Sequence, residues 1–143
     1  MEVRAYQTKD QSELIALWRE CGLLAPQNNP MRDIERKLKV DPELLLVGVL
    51  GGQLVASVMG GYEGHRGWIN YLAVKPSMQG LGYGRQIMTS VEQQIQMLGC
   101  PKINLQVRSS NPSVIAFYAA LGYSDDRVVG LGKRLESDAG TPP

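Results

Sequence analysis

Two hydrophobic periods alternate along this chain, and the places where one gives way to the other outline its elements. Between Trp68 and Val74 aromatic and branched residues crowd together, then stop at Lys75-Pro76. Such a run predicts a strand, ended by a residue that cannot extend a hydrogen-bonded ladder. Ile87, Met88, Val91, Ile95 and Leu98 recur at the spacing of one helix face, with Arg85, Gln86, Glu92, Gln93, Gln94 and Gln96 mostly on the other. Gly99 is placed to be that helix's left-handed stop.

The same reading extends to both sides. Val3 to Tyr6 predicts a first strand, and Thr8 or Asp10 caps a helix with Leu14, Leu17, Trp18 and Cys21 on one face, stopped at Gly22. Residues 23–29 form a loop. Asn29-Pro30 opens a second helix with Ile34 and Leu38 facing inward, and Asp41-Pro42 ends it. Residues 44–50 and 53–60, joined by Gly51-Gly52, predict a hairpin. A longer connection, 62–67, leads into the strand at 68–74. Residues 102–107 alternate as another strand. Asn111-Pro112 opens a short helix carrying Val114, Phe117, Tyr118 and Leu121, closed by Gly122, and 123–135 is strand-like with breaks at Asp125-Asp126 and Gly130. The expected class is α/β, in the mixed α+β sense: a central sheet of six to seven strands with about four helices. Three hairpin-linked strands before the crossover helix make the sheet antiparallel early and locally parallel afterwards, unlike a doubly wound nucleotide fold.

Composition narrows the function classes. A chain of 143 residues suits one domain, taken as 1–136, with 137–143 expected to be a disordered tail. With 43% hydrophobic and 20% charged residues and a net charge of +1, it is neither disordered nor polybasic, so no nucleic-acid partner is expected. Cys21 and Cys100 stand far apart and form no metal-ligand or redox pair, and no metal is expected. The start of the chain carries no signal pattern, and the longest apolar run, 44–50, is too short to span a bilayer. A cytoplasmic protein without a membrane partner is the expectation, as monomer or homodimer.

Gln79-Gly80-Leu81-Gly82-Tyr83-Gly84-Arg85 joins the central strand to its helix. Glycines there let backbone amides converge without side chains in the way, and the first helical turn adds unpartnered N–H groups and partial positive charge. The combination makes a seat for a phosphate or pyrophosphate; a tight connection with nothing bound is the alternative. A dinucleotide G-x-G-x-x-G would need glycine where Arg85 stands, and a P-loop would need Gly-Lys-Ser/Thr, so neither pattern is present.

Gln79, Gly82 and Gly84 do match Q/R-x-x-G-x-G/A, and Asn111 to Tyr123 matches N-x-x-(A)-x-x-(F/L)-Y-x-x-x-G-(F/Y) at nearly every marked place. In this order, each on its expected element, the two motifs resemble those of the GNAT superfamily of N-acetyltransferases, especially small bacterial members with unassigned acceptors. The resemblance implies acetyl-CoA as co-substrate, held where two central strands splay apart. It assigns the pantetheine arm to the backbone of Leu72, Ala73 and Val74. The pyrophosphate falls to Gln79, Gly80, Leu81, Gly82, Tyr83, Gly84 and Arg85, with Asn111 and Ser113 on the other side of the arm. Tyr118 is placed near the sulfur.

Acetylating an amine requires a neutral nitrogen, a polarised thioester carbonyl and a proton for the leaving thiolate. The thiol's pKa is about 8.5, so a phenol of about 10 can serve as donor, and Tyr118 is the expected acid. A lysine-type amine costs roughly 4 to 5 kcal/mol to deprotonate near neutral pH and an α-amine about 1. Glu63, directly or through water, is the expected base, with the lone His65 as alternative. Relatives that acetylate protein N-termini often carry glutamate where Gln106 stands, and an amide cannot take that proton. The expectation is therefore an N-acetyltransferase acting on a primary amine of a small metabolite or amino-acid-like acceptor. By analogy the loop 23–29, the helix from Pro30 and residues 128–130 wall the acceptor. The alternatives are a protein N-terminal or lysine acetyltransferase, a non-catalytic acyl-CoA-binding or sensing module, and, from the glycine turn, a dinucleotide-binding domain.

Overall fold

A computed structural model describes residues 1–138. The elements run β1 (Glu2–Ala5), α1 (Gln11–Glu20), α2 (Pro30–Lys37), β2 (Leu45–Leu50), β3 (Gln53–Tyr62), β4 (Gly67–Val74), α3 (Tyr83–Met97), β5 (Ile103–Leu105) and α4 (Pro112–Ala120). Their local causes are as the sequence suggests at most ends. Asn29 caps α2 by accepting from the amides of Met31 and Arg32, with Pro30 at the first helical position. Gly22 and Gly99 sit at positive φ beyond α1 and α3. At α1 the expected cap is put to other use: the Asp10 carboxylate takes the Gln7 amide and both terminal nitrogens of Arg4 at 2.7 and 2.9 Å.

The sheet has strand order β1-β2-β3-β4-β5, with every pair antiparallel except β4 and β5, which are parallel. That is the mixed arrangement expected, but with five strands and not six to seven. The missing ones were expected in 123–135, where no strand forms among the described residues. The reason is local. Asp125 accepts from the Arg127 amide, and Arg127 takes a left-handed φ of 56°, so the chain turns where a ladder would have to begin. Beyond it Val128, Val129, Leu131 and Leu135 are 78 to 91% exposed. The tail expected from residue 137 falls outside the described residues from 139 on; Asp138 is described, and accepts from Arg36 at 2.8 and 3.0 Å and from Arg32 at 3.4 Å.

Two apolar layers flank the sheet. Leu46, Ala56, Val58 and Ile69 meet Ile87, Met88, Val91 and Ile95 of α3 and Tyr118 of α4. Leu45, Val47, Leu54 and Ala73 meet Leu14, Leu17 and Trp18 of α1 and Ile34 of α2. Ile69 and Ala73 are four residues apart on β4, so regular alternation would put them on one face. They lie on opposite faces because β4 carries a bulge: pairing runs Met59↔Asn70 and then Ser57↔Ala73, leaving Tyr71 and Leu72 opposite Val58 alone. Tyr71 adopts φ 52° there, and the extra residue reverses the facing of everything after it.

Candidate functional site

The bulge lies where the sheet opens. Pairing between β4 and β5 covers only Gly67↔Ile103, Trp68↔Asn104 and Ile69↔Leu105, so beyond Ile69 the edge of β4 is free. Ala73 pairs with Ser57, and the Lys75 amide donates to the Val55 carbonyl at 2.8 Å. By the alternation of an antiparallel ladder, Leu72 and Val74 then aim their N–H and C=O groups away from β3, into the opening. An extended ligand arm can bond there as an added strand.

Below that edge the chain turns into α3. The Gln79 side chain donates to the Val74 carbonyl at 3.0 Å, tying the turn back to the strand. Gly80 and Gly82 take φ of 78° and 90°, which only glycine adopts without strain. The first backbone bond of the helix is Gln86 N–H to Gly82 C=O, and among the described residues the amides of residues 80–85 have no acceptor. Six successive unpaired donors thus stand at the positive end of a 15-residue helix, an arrangement able to accept an anion. Gly84 matters for a different reason: a Cβ there would stand 3.0 Å from the Phe117 ring, so α3 and α4 meet at this point only across a bare backbone. Arg85 reaches the other way, donating to the Ala120 carbonyl at 3.3 Å.

On α4, Tyr118 is 8% exposed and packs edge-on between Phe117 and Tyr123. Its hydroxyl has no hydrogen-bond partner among the described residues, and burial pushes its pKa up to about 12. Tyr123 donates to Glu92 at 2.6 Å, which leaves Tyr118 as the free phenol of the pair. Ser113 donates to the Asn111 side chain at 3.1 Å at the exposed start of α4.

The model of the Acetyltransferase (GNAT) family matches residues 9–123. A protein named acetyltransferase from Yersinia enterocolitica is 47% identical over 138 residues, 96% of this chain and 98% of that one. The chain belongs to the GNAT acetyltransferase family. It is an acetyl-CoA-dependent acetyltransferase. Among solved structures, the fold matches the aminoglycoside enzyme AAC(6')-Iy, in complex with a CoA bisubstrate analogue, at a TM-score of 0.77 with 18% identity over 93% of this chain and 97% of that one. It matches the ribosomal-protein-S18-alanine N-acetyltransferase of Escherichia coli at 0.71 with 19% identity, over 85% and 76%.

In this GNAT chain residues 72–74 form the open β4 edge, 79–85 the glycine turn that follows it, and Asn111 and Ser113 the exposed start of α4, a helix that meets the turn through Phe117 on Gly84 and through Arg85 on Ala120. Glu63 lies apart from these. Its carboxylate accepts from the His65 amide at 2.7 Å and from the Arg66 amide, closing its own loop. The Arg66 bond foremost holds its pKa below the usual range. The loop precedes Gly67, which puts it roughly 17 Å of strand from Leu72 at about 3.3 Å per residue.

A pocket of about 580 Å³ opens beside the bulge, lined from the loop after α1, α2, β3 and β4. Loop and α2 were expected as acceptor wall, but the residues that give the pocket its chemistry were not foreseen. Tyr71 stacks on Trp18 with centroids 3.8 Å apart and donates to Asp33 at 2.6 Å. Ser57 accepts from the Trp18 indole and donates to the Tyr71 carbonyl, both at 2.9 Å. Asp33 and Lys37, four apart on α2 and both on the pocket, were the signal the sequence offered.

Proposed function

We propose that this acetyltransferase moves the acetyl group directly onto the primary amine of a small, amino-acid-like metabolite. The observation that carries the reading is the charged pocket at the β4 bulge, next to the free strand edge on which the thioester end of the co-substrate would lie. The amide seat at 80–85 and the edge at 72–74 suit a pyrophosphate followed by an extended amide-bearing arm. The balance is simple: the amine nitrogen bonds to the acetyl carbon, the carbon–sulfur bond breaks, and the amine's proton leaves. Tyr118 supplies the proton the thiolate takes up and regains one from solvent.

Burial weakens Tyr118 as an acid, but it raises the thiol's pKa in the same cleft by the same mechanism, since both ionise to anions. The gap between donor and leaving group therefore changes less than Tyr118 alone suggests. For Glu63 we assign loop closure, with any proton acceptance through water. Gln106 argues against the branch that acetylates protein N-termini, and Lys37 on the pocket argues against polycations of the aminoglycoside kind.

The test is release of free CoA across a library of amines, with Tyr118→Phe beside the wild type. Turnover of small amines, reduced about 10²- to 10³-fold in the variant with acetyl-CoA affinity kept, supports the reading. Acetyl-CoA binding with no acetylation of any amine by the wild type would make the protein a sensor.

A further inference from the structure

The pocket beside the bulge has two poles of opposite charge. At one, the Asp33 carboxylate holds the Tyr71 hydroxyl at 2.6 Å, and Asp33 is the only acidic side chain lining the pocket among the described residues. Tyr71 spends its proton on Asp33, so its oxygen still offers lone pairs, and the second Asp33 oxygen has only a 3.5 Å contact with Arg36. Both oxygens can accept from an ammonium. This pole sits on the bulge, where the free β4 edge begins.

At the other pole stands Lys37. Its ammonium lies over Gly61, 3.6 Å from where a Cβ would be, and has no hydrogen-bond or ion-pair partner among the described residues. It is also half-buried, and burial lowers its pKa by more than the nearby carboxylates of Asp41 and Glu43, which make no direct bond to it, raise it. Arg36, by contrast, is occupied by Asp138. Gly61 lies three residues along β3 from Val58, which faces the bulge, and Asp33 and Lys37 stand one turn apart on α2, so the two charged side chains start about 6 Å from one another.

That separation fits one small molecule with an amine at one end and a carboxylate at the other. We propose that the pocket selects a zwitterionic acceptor, a free amino acid, with its amine against Tyr71 and Asp33 and its carboxylate against Lys37. The inference rests on the acetyl-transfer reading above and adds the acceptor class. An amide, a peptide N-terminus or a polyamine would leave Lys37 without a directly bonded carboxylate, and a second ammonium would be repelled by it.

Binding and turnover are measured separately. Calorimetry of the CoA-bound protein uses the proteinogenic L-amino acids, their amides and decarboxylated amines, and spermidine as probes. At least one amino acid should bind tenfold or more tightly than its amide and its decarboxylated amine, with Lys37→Met erasing that ratio and Lys37→Arg retaining most of it. Tyr71→Phe should weaken the amino acid and its amide alike. The inference is overturned if amides or spermidine bind as well as the amino acids, or if Lys37→Met leaves the ratio intact. Acetyl transfer to carboxylate-free amines alone would sink the inference and leave the acetyltransferase reading standing. Selective amino-acid binding without acetylation would do the reverse.

Discussion

Replacing Ser57 by alanine tests whether the bulge is held by the hydrogen bonds beneath it. Ser57 and Trp18 are fully buried, and the Ser57 hydroxyl accepts from the Trp18 indole N–H. Alanine leaves no cavity larger than one oxygen but strands the indole donor in an apolar layer. An unsatisfied buried donor costs about 1 to 3 kcal/mol and the lost net bond about 1 more. For a domain of this size, a total of roughly 2 to 4 kcal/mol lowers Tm by about 6 to 15 °C. The second bond, to the Tyr71 carbonyl, ties down a residue at φ 52°. A non-glycine residue there carries about 1 to 2 kcal/mol of strain, so once released Tyr71 should relax in the free protein. Rebuilding the open edge would then weaken acetyl-CoA binding by up to about tenfold. Thermal denaturation followed by circular dichroism reads the first effect and calorimetric titration with acetyl-CoA the second. A Tm within about 2 °C of wild type, or lost stability with unaltered acetyl-CoA affinity, would refute the buttress, since on the accounting above the two effects share one cause.

Gly82→Ala meets no atom within 4 Å, so its penalty is one of backbone alone: about 1 to 2 kcal/mol at φ 90°, with weaker acetyl-CoA binding by titration as the amides of the turn reorient. Asp10 has its pKa lowered, foremost by the hydrogen bonds from Arg4, so it contributes stability in full above its unfolded value of about 3.9 and loses it as pH falls through its lower folded value. Urea midpoints across acid pH should fall less steeply for Asp10→Asn than for the wild type. Glu63→Gln keeps an oxygen for the two loop amides and should leave kcat/KM close to wild type; a loss of about 10²-fold or more would make Glu63 the base after all.

Much of this was legible because local chemistry and tertiary context agree. The glycine turn, the Asn29-Pro30 cap and the face of α3 from Ile87 to Ile95 are set within a few residues of one another, and the structure has them where the pattern puts them. Leu38 and Leu98, expected to face inward, are instead 41 and 50% exposed at the ends of their helices. The bulge was not legible, since residues 68–74 look like one uninterrupted strand and the extra residue shows only in pairing with β3. Consequently Tyr71 looked like another strand aromatic, when its ring stacks on Trp18 and its hydroxyl meets Asp33 from a different element. The final strands failed for the opposite reason: Val128, Val129 and Leu131 have strand propensity, but the Asx turn at Asp125 sends the chain away from any ladder. Propensity there met no partner.

The environment of Tyr118 makes a prediction about pH that separates an acid from a packed aromatic. Its pKa is raised to about 12 by desolvation, so the folded protein holds this proton more tightly than the unfolded chain, whose tyrosines titrate near 10. The stability linked to it is complete below about pH 10 and is lost as pH rises through its folded value of about 12. Over the range where the enzyme can be assayed, the phenol therefore stays protonated. The profile of kcat/KM should rise with pH as the acceptor amine loses its proton, then level off with no descending limb of its own from Tyr118. Tyr118→Phe should lower that plateau by the loss of a proton donor, about 10²-fold or more, and leave the midpoint of the rise in place. A structural role would instead lower stability and acetyl-CoA affinity together with activity. A wild-type descending limb near pH 8 to 9 that vanishes in Tyr118→Phe would contradict the buried site, because such a limb requires a phenol with a pKa below its ordinary value of about 10 and not above it.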